Sequence, residues 1–367
     1  MATFYIPTRI IIGKNCIREN TFLFPALGTK ALIVTGKRSA KANGSEHDVR
    51  RALQERSIPS VIFDDVESNP PTTVARAAAE LAREEKADFV IGIGGGSPLD
   101  AAKVAAVLAT NRIGDETLFS NDFAQKPLPV VAVPTTAGTG SEVTQYAMMT
   151  NDRIQSKSFV ISDDIMPRIA FLDAAYTESL PLPVTRNTAL DALSHAVESY
   201  LSKRATEMSS FIALESMKRL GRHLPMMRHG ADLDFNVREQ LLSASLLGGI
   251  AIAQTGTTVL HAMGYSLTYF KRIEHGRANG LLMGDYLQYL LPEHQEKVMT
   301  VLRTLGLNGI ADLKALIDDL VGDKEMISEQ EISAFSAIAM RARNIPFTLK
   351  SPSQADIEEM LRRSFLS

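Results

Sequence analysis

The sequence predicts an α/β amino-terminal half built on a mostly parallel sheet, followed by an all-α carboxyl-terminal half. Three observations carry that prediction. Short apolar runs rich in β-branched residues alternate with helical patterns through the first half. Two of those runs end in turns rich in glycine or threonine. Beyond about residue 180 strand signals give way to apolar residues at three- and four-residue steps. A chain of 367 residues has room for two domains of ordinary size, expected at 1–180 and 181–367.

The expected strands are, in order, Ile10–Ile12, Ala31–Thr35, Val61–Phe63, Phe89–Ile93 and Val130–Val133, with helices such as Thr72–Glu85 and Pro98–Thr110 between them. Such alternation puts helices on both faces of a parallel sheet and ligands at the carboxyl ends of its strands. Strand signals fade after Phe171-Leu172-Asp173, and Leu180-Pro-Leu-Pro183 interrupts the chain. From Thr185 onward the spacing is helical, as in Ile332, Phe335, Ile338 and Ala339. Between Leu241 and Phe270 there is no Asp, Glu, Lys or Arg, a length that suits a membrane span. Ser243, Gln254, Thr257 and His261 within it would be costly in lipid, so buried core helix is expected instead.

The formal net charge is -3, with 45% hydrophobic and 22% charged residues, an ordinary globular composition. Lys and Arg are scattered, which leaves no electrostatic footprint for nucleic acid. Cys16 is the only cysteine, which excludes an intrachain disulfide and any thiolate-rich metal site, and it is expected to be a packing residue. The first residues lack a basic region followed by an apolar core, so no signal peptide and a cytoplasmic location are expected.

Strand-like Phe89-Val-Ile91 runs into Gly92-Ile-Gly94-Gly95-Gly96-Ser97-Pro98 and then a helix. Consecutive glycines let backbone N–H groups approach a phosphate, and the helix start adds a favourable dipole. Ser97 stands where a G-x-G-x-x-G count from Gly92 requires glycine, so a turn that needs glycine only for its backbone geometry is the other reading. Pro134-Thr-Thr136-Ala-Gly138-Thr-Gly140-Ser141-Glu142 follows a second strand, with hydroxyls and open amides that suit a nucleotide or simply form a turn.

Asp191 and His195 are four residues apart in Asp191-Ala-Leu-Ser-His195-Ala-Val-Glu198, so on a helix they share one face. With His261 and His275 they would make one carboxylate and three imidazoles, a ligand set for a divalent first-row metal. A surface Asp/His pair on an amphipathic helix is the simpler reading of the pair alone.

Taken together, Gly94-Gly-Gly-Ser-Pro-Leu-Asp100, Pro134 to Glu142, Asp191 to His195, and His261-Ala-Met-Gly-Tyr-Ser-Leu267 through His275-Gly276 resemble the iron-containing alcohol dehydrogenase family over nearly the whole chain. The resemblance implies a Rossmann-like amino-terminal domain, an all-helical carboxyl-terminal domain of the kind found in dehydroquinate synthase, and a catalytic cleft between them. Carried over by motif, it implies metal ligands at Asp191, His195, His261 and His275, and cofactor contacts at Asn69, Gly95, Gly96, Ser97, Asp100, Thr135, Thr136, Ser141 and Lys157. His47, His223, His229 and His294 match no ligand position.

Members that prefer NAD typically carry Asp after the first long strand, where it repels a 2′-phosphate. Gly36 falls at that position, and Lys37, Arg38, Ser39 and Lys41 offer cations and a hydroxyl, so NADP is expected over NAD. Many members carry a histidine relay four residues after the third ligand, where this chain has Tyr265, a phenol with an ordinary pKa near about 10. The implied activity is reversible hydride transfer between NADP(H) and a small primary alcohol or aldehyde, with Fe(II) as Lewis acid and Zn(II) compatible with the same ligands. A homo-oligomer, most simply a dimer, is expected, with neither nucleic acid nor membrane as a partner. A metal-dependent lyase or synthase resembling dehydroquinate synthase is the alternative enzyme, and a non-catalytic nucleotide-binding protein the alternative outside catalysis.

Overall fold

In the computed structural model, residues 3–228 and 233–366 are described. The strands among them are β1 (Arg9–Ile12), β2 (Ala31–Thr35), β3 (Ser60–Phe63), β4 (Phe89–Gly94), β5 (Val130–Pro134), β6 (Tyr146–Asn151), β7 (Ser156–Ile161) and β8 (Ile169–Leu172). Six form one sheet in the order β1-β8-β5-β4-β2-β3, parallel at every pairing. β2 and β4 are buried along their whole length, as expected of strands covered on both faces. Leu32, Val34 and Val90 pack against the alanine-rich helices Thr72–Glu84 and Gly96–Thr110. Ala31, Ile33 and Ile91 face the opposite layer, with Phe24 and Leu53. Fully burying each such Leu, Ile or Val contributes about 1.5–3 kcal/mol. Cys16 belongs to that second layer, 3% exposed, and burial pushes its thiol up to about 12.

Sheet order decides where a ligand can enter. β3 lies on one side of β2 and β4 on the other, so the winding direction reverses between β2 and β4. Their carboxyl ends are in register, Thr35 opposite Ile93, and lead into Gly36 and into Gly94-Gly95-Gly96. Open α/β sheets bind ligands in the crevice at such a reversal.

β6 and β7 form an antiparallel hairpin that no expected strand anticipates. Ala147 and Met149 are buried while their neighbours are partly exposed, so the period of two is present. Ala, Met and Asn are weak strand formers, which masks it in the sequence.

From Leu182 onward the regular elements among the described residues are helices, apart from one isolated bridge between Ser202 and Thr348. Pro183 sits in the first turn of the Leu182–Tyr200 helix, so the Leu180–Pro183 interruption is also a helix start. This helix packs against Glu207–His223, Phe235–Thr255 and His275–Thr304, and every residue from Ala189 to Ser199 in it is buried. The helices Val259–Lys271, Ile310–Val321, Glu329–Ala339 and Gln354–Phe365 complete the helical core. The charge-free run falls on the Phe235 and Val259 helices, which are bent by 112° about Gly256 and largely buried, as expected. No single helix among the described residues is long and apolar enough to cross a membrane.

Candidate metal centre and cofactor cleft

The Leu182 helix sets Asp191 and His195 one turn apart on one face. The Val259 helix carries His261 in its first turn, and His275 opens the next helix. Three imidazole nitrogens converge on one carboxylate oxygen. Oδ1 of Asp191 is 3.9 Å from Nε2 of His195, 3.9 Å from Nε2 of His261 and 3.8 Å from Nε2 of His275. The ligand atoms of Asp191, His261 and His275 lie within 4.8 Å of one another, and the His195 ring stacks on His261 with centroids 5.0 Å apart. Ligands held about 2.0–2.2 Å from a tetrahedral ion stand about 3.4 Å from each other, so each nitrogen must close on Asp191 Oδ1 by about half an ångström; Asp191, His261 and His275 group closely enough to hold an ion, and His195 flanks them.

The electrostatics of two of the three rings agree with that fit. Burial holds the His195 and His275 rings below the usual histidine range, which favours the neutral form that ligates a metal. At His261 burial also disfavours the charged ring, but the Glu198 carboxylate on its Nδ1 outweighs burial and raises it. The Asn279 amide nitrogen reaches into the same point, 3.1 Å from Nε2 of His261, 3.4 Å from Nε2 of His275 and 3.3 Å from Oδ1 of Asp191. Its own Oδ1 is buried without a partner. One amide among three lone-pair nitrogens and a carboxylate leaves this buried donor set short of positive charge, which a cation supplies.

A cleft of about 860 Å³ runs from these residues to the sheet, bordered there by Asn69, Gly96, Ser97, Asp100, Ser141 and Lys157. It is at the upper end of the size of small-molecule sites. Gly94 has φ +147°, and a Cβ there would lie 2.6 Å from Cγ of Pro98, so the turn requires glycine twice over. Thr135 donates its backbone N–H to the carbonyl of Gly94, and Gly95 backs onto Thr136. Asp100 accepts from the Ser141 hydroxyl at 2.6 Å and the Met148 amide at 3.0 Å, tying the glycine turn to the threonine-rich turn and to β6. Ser97 Oγ accepts from the Asn69 amide, and Thr150 donates to the Asn69 carbonyl. Lys157 on β7 is half-buried; burial brings it down to about 8 against the opposing pull of Asp191 and Asp100.

Gly36, Ser39, Gly95, Thr135 and Thr136 do not form the wall of this cleft. Gly36 and Ser39 lie beyond it at the end of β2. Lys37 and Lys41 there are already paired, with Asp65 at 2.5 Å and Asp64 at 2.6 Å. All four side chains are well exposed, and solvent screens such pairs strongly, so the cations exchange partners readily.

Tyr265 is buried, its ring stacked 5.8 Å from His275, and burial raises its phenol further, so it holds its proton at neutral pH. His47 is exposed, His223 bonds the Arg219 carbonyl within its own helix, and His294 sits at a helix kink. His229 lies outside the described residues. Sequence reasoning missed Glu198 and Asn279. Their spacings, three residues after His195 and four after His275, put each on the same helix face as a histidine of the set and were legible.

Residues 7–174 match the family model of iron-containing alcohol dehydrogenase, and residues 185–365 match the carboxyl-terminal model of the same family. Among curated relatives, the 1,3-propanediol dehydrogenase of Citrobacter freundii is 36% identical over 312 residues, covering 83% of this chain and 78% of its own. The NAD-dependent methanol dehydrogenase of Bacillus methanolicus is 30% identical, covering 84% and 81%. The crystal structure of an iron-containing alcohol dehydrogenase from Thermotoga maritima superposes with a TM-score of 0.94 at 37% identity, over 100% of both chains. With both halves matched in order and the whole fold superposing, the chain belongs to the iron-containing alcohol dehydrogenase family of oxidoreductases.

Proposed function

We propose that this protein is a metal-dependent alcohol dehydrogenase, or aldehyde reductase, that moves a hydride between NADP(H) and a small primary alcohol or aldehyde. The observation that carries the reading is the convergence of three Nε2 atoms on Asp191 Oδ1 at one end of a cleft whose other end is formed by glycine- and threonine-rich turns. Asp191, His195, His261 and His275 hold the metal, Fe(II) or Zn(II), and form the catalytic set. When bound, the ion supplies Lewis acidity to a substrate oxygen and the nicotinamide supplies the hydride chemistry.

The protein's own residues bind and orient. Gly96, Ser97 and Ser141, on the cleft wall, offer backbone N–H groups, hydroxyls and a helix start to the pyrophosphate, while Gly95, Thr135 and Thr136 behind them hold the two turns in shape. Asp100 braces the two turns through its bonds to Ser141 and Met148. Asn69 and Lys157 complete the cofactor contacts. Gly36 and Ser39 leave room for a 2′-phosphate beside Arg38, which makes no ion pair among the described residues. The division at 180, a cytoplasmic location and a homodimer belong to the same reading. Small alcohols in the names of the Citrobacter and Bacillus relatives support the substrate class.

The deciding experiment is NADPH oxidation across short-chain aldehydes, with Fe(II) or Zn(II) added anaerobically to metal-stripped protein. Metal-dependent turnover at a higher kcat/KM than with NADH supports the assigned reaction, its metal and the NADP preference. Turnover that favours NADH removes the NADP assignment, and an absence of net NADPH consumption with every aldehyde points to the lyase.

A further inference from the structure

We infer that Glu198 is the positioning residue of this metal centre: its carboxylate holds both the backbone and the ring of His261, so that Nε2 of His261 faces the ion. The inference rests on the reading of Asp191, His195, His261 and His275 as metal ligands.

Glu198 is fully buried on the Leu182 helix, one turn beyond His195. A carboxylate with no exposure is costly unless it is well hydrogen-bonded, and here four hydrogen bonds reach it, three at Oε1 and one at Oε2. Oε1 accepts from the Thr258 amide at 2.7 Å, the Thr258 hydroxyl at 2.6 Å and the His261 amide at 3.3 Å. Oε2 meets Nδ1 of the His261 ring.

Two consequences follow from chemistry. Thr258 is the N-cap of the Val259 helix, yet its side chain does not cap that helix. Oε1 of Glu198 takes over the task at the His261 amide, and a carboxylate there also complements the helix dipole. An ionised carboxylate is acceptor-only, so the bond to Nδ1 requires Nδ1–H and leaves the lone pair on Nε2. Nε2 is the atom that faces Asp191 Oδ1. Thr258 further shares a hydrogen bond with Tyr286, at 3.1 Å, from the helix that His275 begins. One carboxylate thus ties together the three helices that supply the four ligands, and orients one ligand ring directly. Carboxylates in this position typically contribute about 10–100-fold to metal affinity.

The test uses the full chain and Zn(II), measured by competition with a chromophoric chelator, together with ¹⁵N spectra of histidine-labelled protein. In Glu198→Gln the amide oxygen keeps the Thr258 and His261 backbone bonds, while its NH2 faces Nδ1 and favours the tautomer with the proton on Nε2. Zn(II) affinity is expected to fall about 10–100-fold, with the melting temperature of metal-free protein nearly unchanged. The wild-type spectrum is expected to show a protonated Nδ1 on His261 with Zn(II) bound, a readout that needs no variant to fold.

Equal Zn(II) affinity in wild type and Glu198→Gln, or a bare Nδ1 on His261 in wild type, overturns the inference while the metal site stands. Wild-type protein that binds neither Zn(II) nor Fe(II) overturns the metal reading itself.

Discussion

Gly140, in the threonine-rich turn, lies so close to Gly249, on the Phe235 helix, that a Cβ on Gly140 would fall 2.4 Å from the Gly249 Cα. The reverse substitution is nearly as tight, since a Cβ on Gly249 would meet the Gly140 Cα at 2.7 Å. Backbone packed on backbone has no flexible side chain that can give way. Gly249→Ala is expected to cost about 1–3 kcal/mol, read as a lower melting temperature. It should also raise KM for the cofactor, because the turn that carries Ser141 must shift.

On the proposed reading, cofactor choice turns on Gly36. In Gly36→Asp the new carboxylate stands at the end of β2 with the repulsion that a 2′-phosphate meets in NAD-preferring members. Its Cβ would be 3.1 Å from the Val66 carbonyl, tight enough to require a small local adjustment. The ratio of kcat/KM for NADP(H) over NAD(H) is expected to fall at least about tenfold, equivalent to about 1.4 kcal/mol. Steady-state kinetics with both cofactors check it, and an unchanged ratio would place the 2′-position elsewhere.

Asp191→Asn keeps the size of the side chain and removes the charge toward which three imidazoles point. Metal content by mass spectrometry is expected to drop, with kcat/KM down by about 10³-fold or more, because Lewis-acid stabilisation is worth several kcal/mol. Prolonged dialysis of wild type against a chelator should reproduce the loss, and Fe(II) should restore it only in wild type.

A pH effect is built in beside the cofactor turn. Glu142 is 1% exposed with Oε1 unpartnered, and burial raises its carboxyl from 4.5 to about 7. The neighbouring Lys103 only partly offsets that, its Nζ being committed to the carbonyls of Thr144 and Tyr146 at 2.9 and 2.8 Å. A carboxyl raised on folding contributes stability that is fully present below pH 4.5 and lost as pH rises through about 7. The loss is on the order of 3 kcal/mol. Glu142→Gln removes it, so the melting temperature of wild type should fall relative to the variant between those pH values. Parallel curves would show that the carboxylate is solvated.

The parallel sheet and the helical half were legible because buried strands read as continuous β-branched runs and helices as a 3.6-residue period. The β6–β7 hairpin was not legible, since β6 alternates in burial but Ala147, Met148 and Met149, which follow Tyr146, are weak strand formers. Lys157, on that hairpin, therefore had a role implied by resemblance but no element to sit on. Glu198 and Asn279 passed unnoticed although each shares a helix face with a histidine, because a carboxylate or amide at that spacing is common on solvated helices.

Sequence alone determined the four candidate ligands, the glycines the turns require, and the order of the main-sheet strands up to β5 and of the helices, all of which are local properties. Which oxygen of which carboxylate meets three nitrogens from three helices was decided only by tertiary structure. So was the pairing of Lys37 and Lys41 with Asp65 and Asp64, across a chain reversal at the edge of the sheet. The physical reason is that side-chain spacing within one helix follows from its pitch, whereas distances between helices follow from the packing of a whole core.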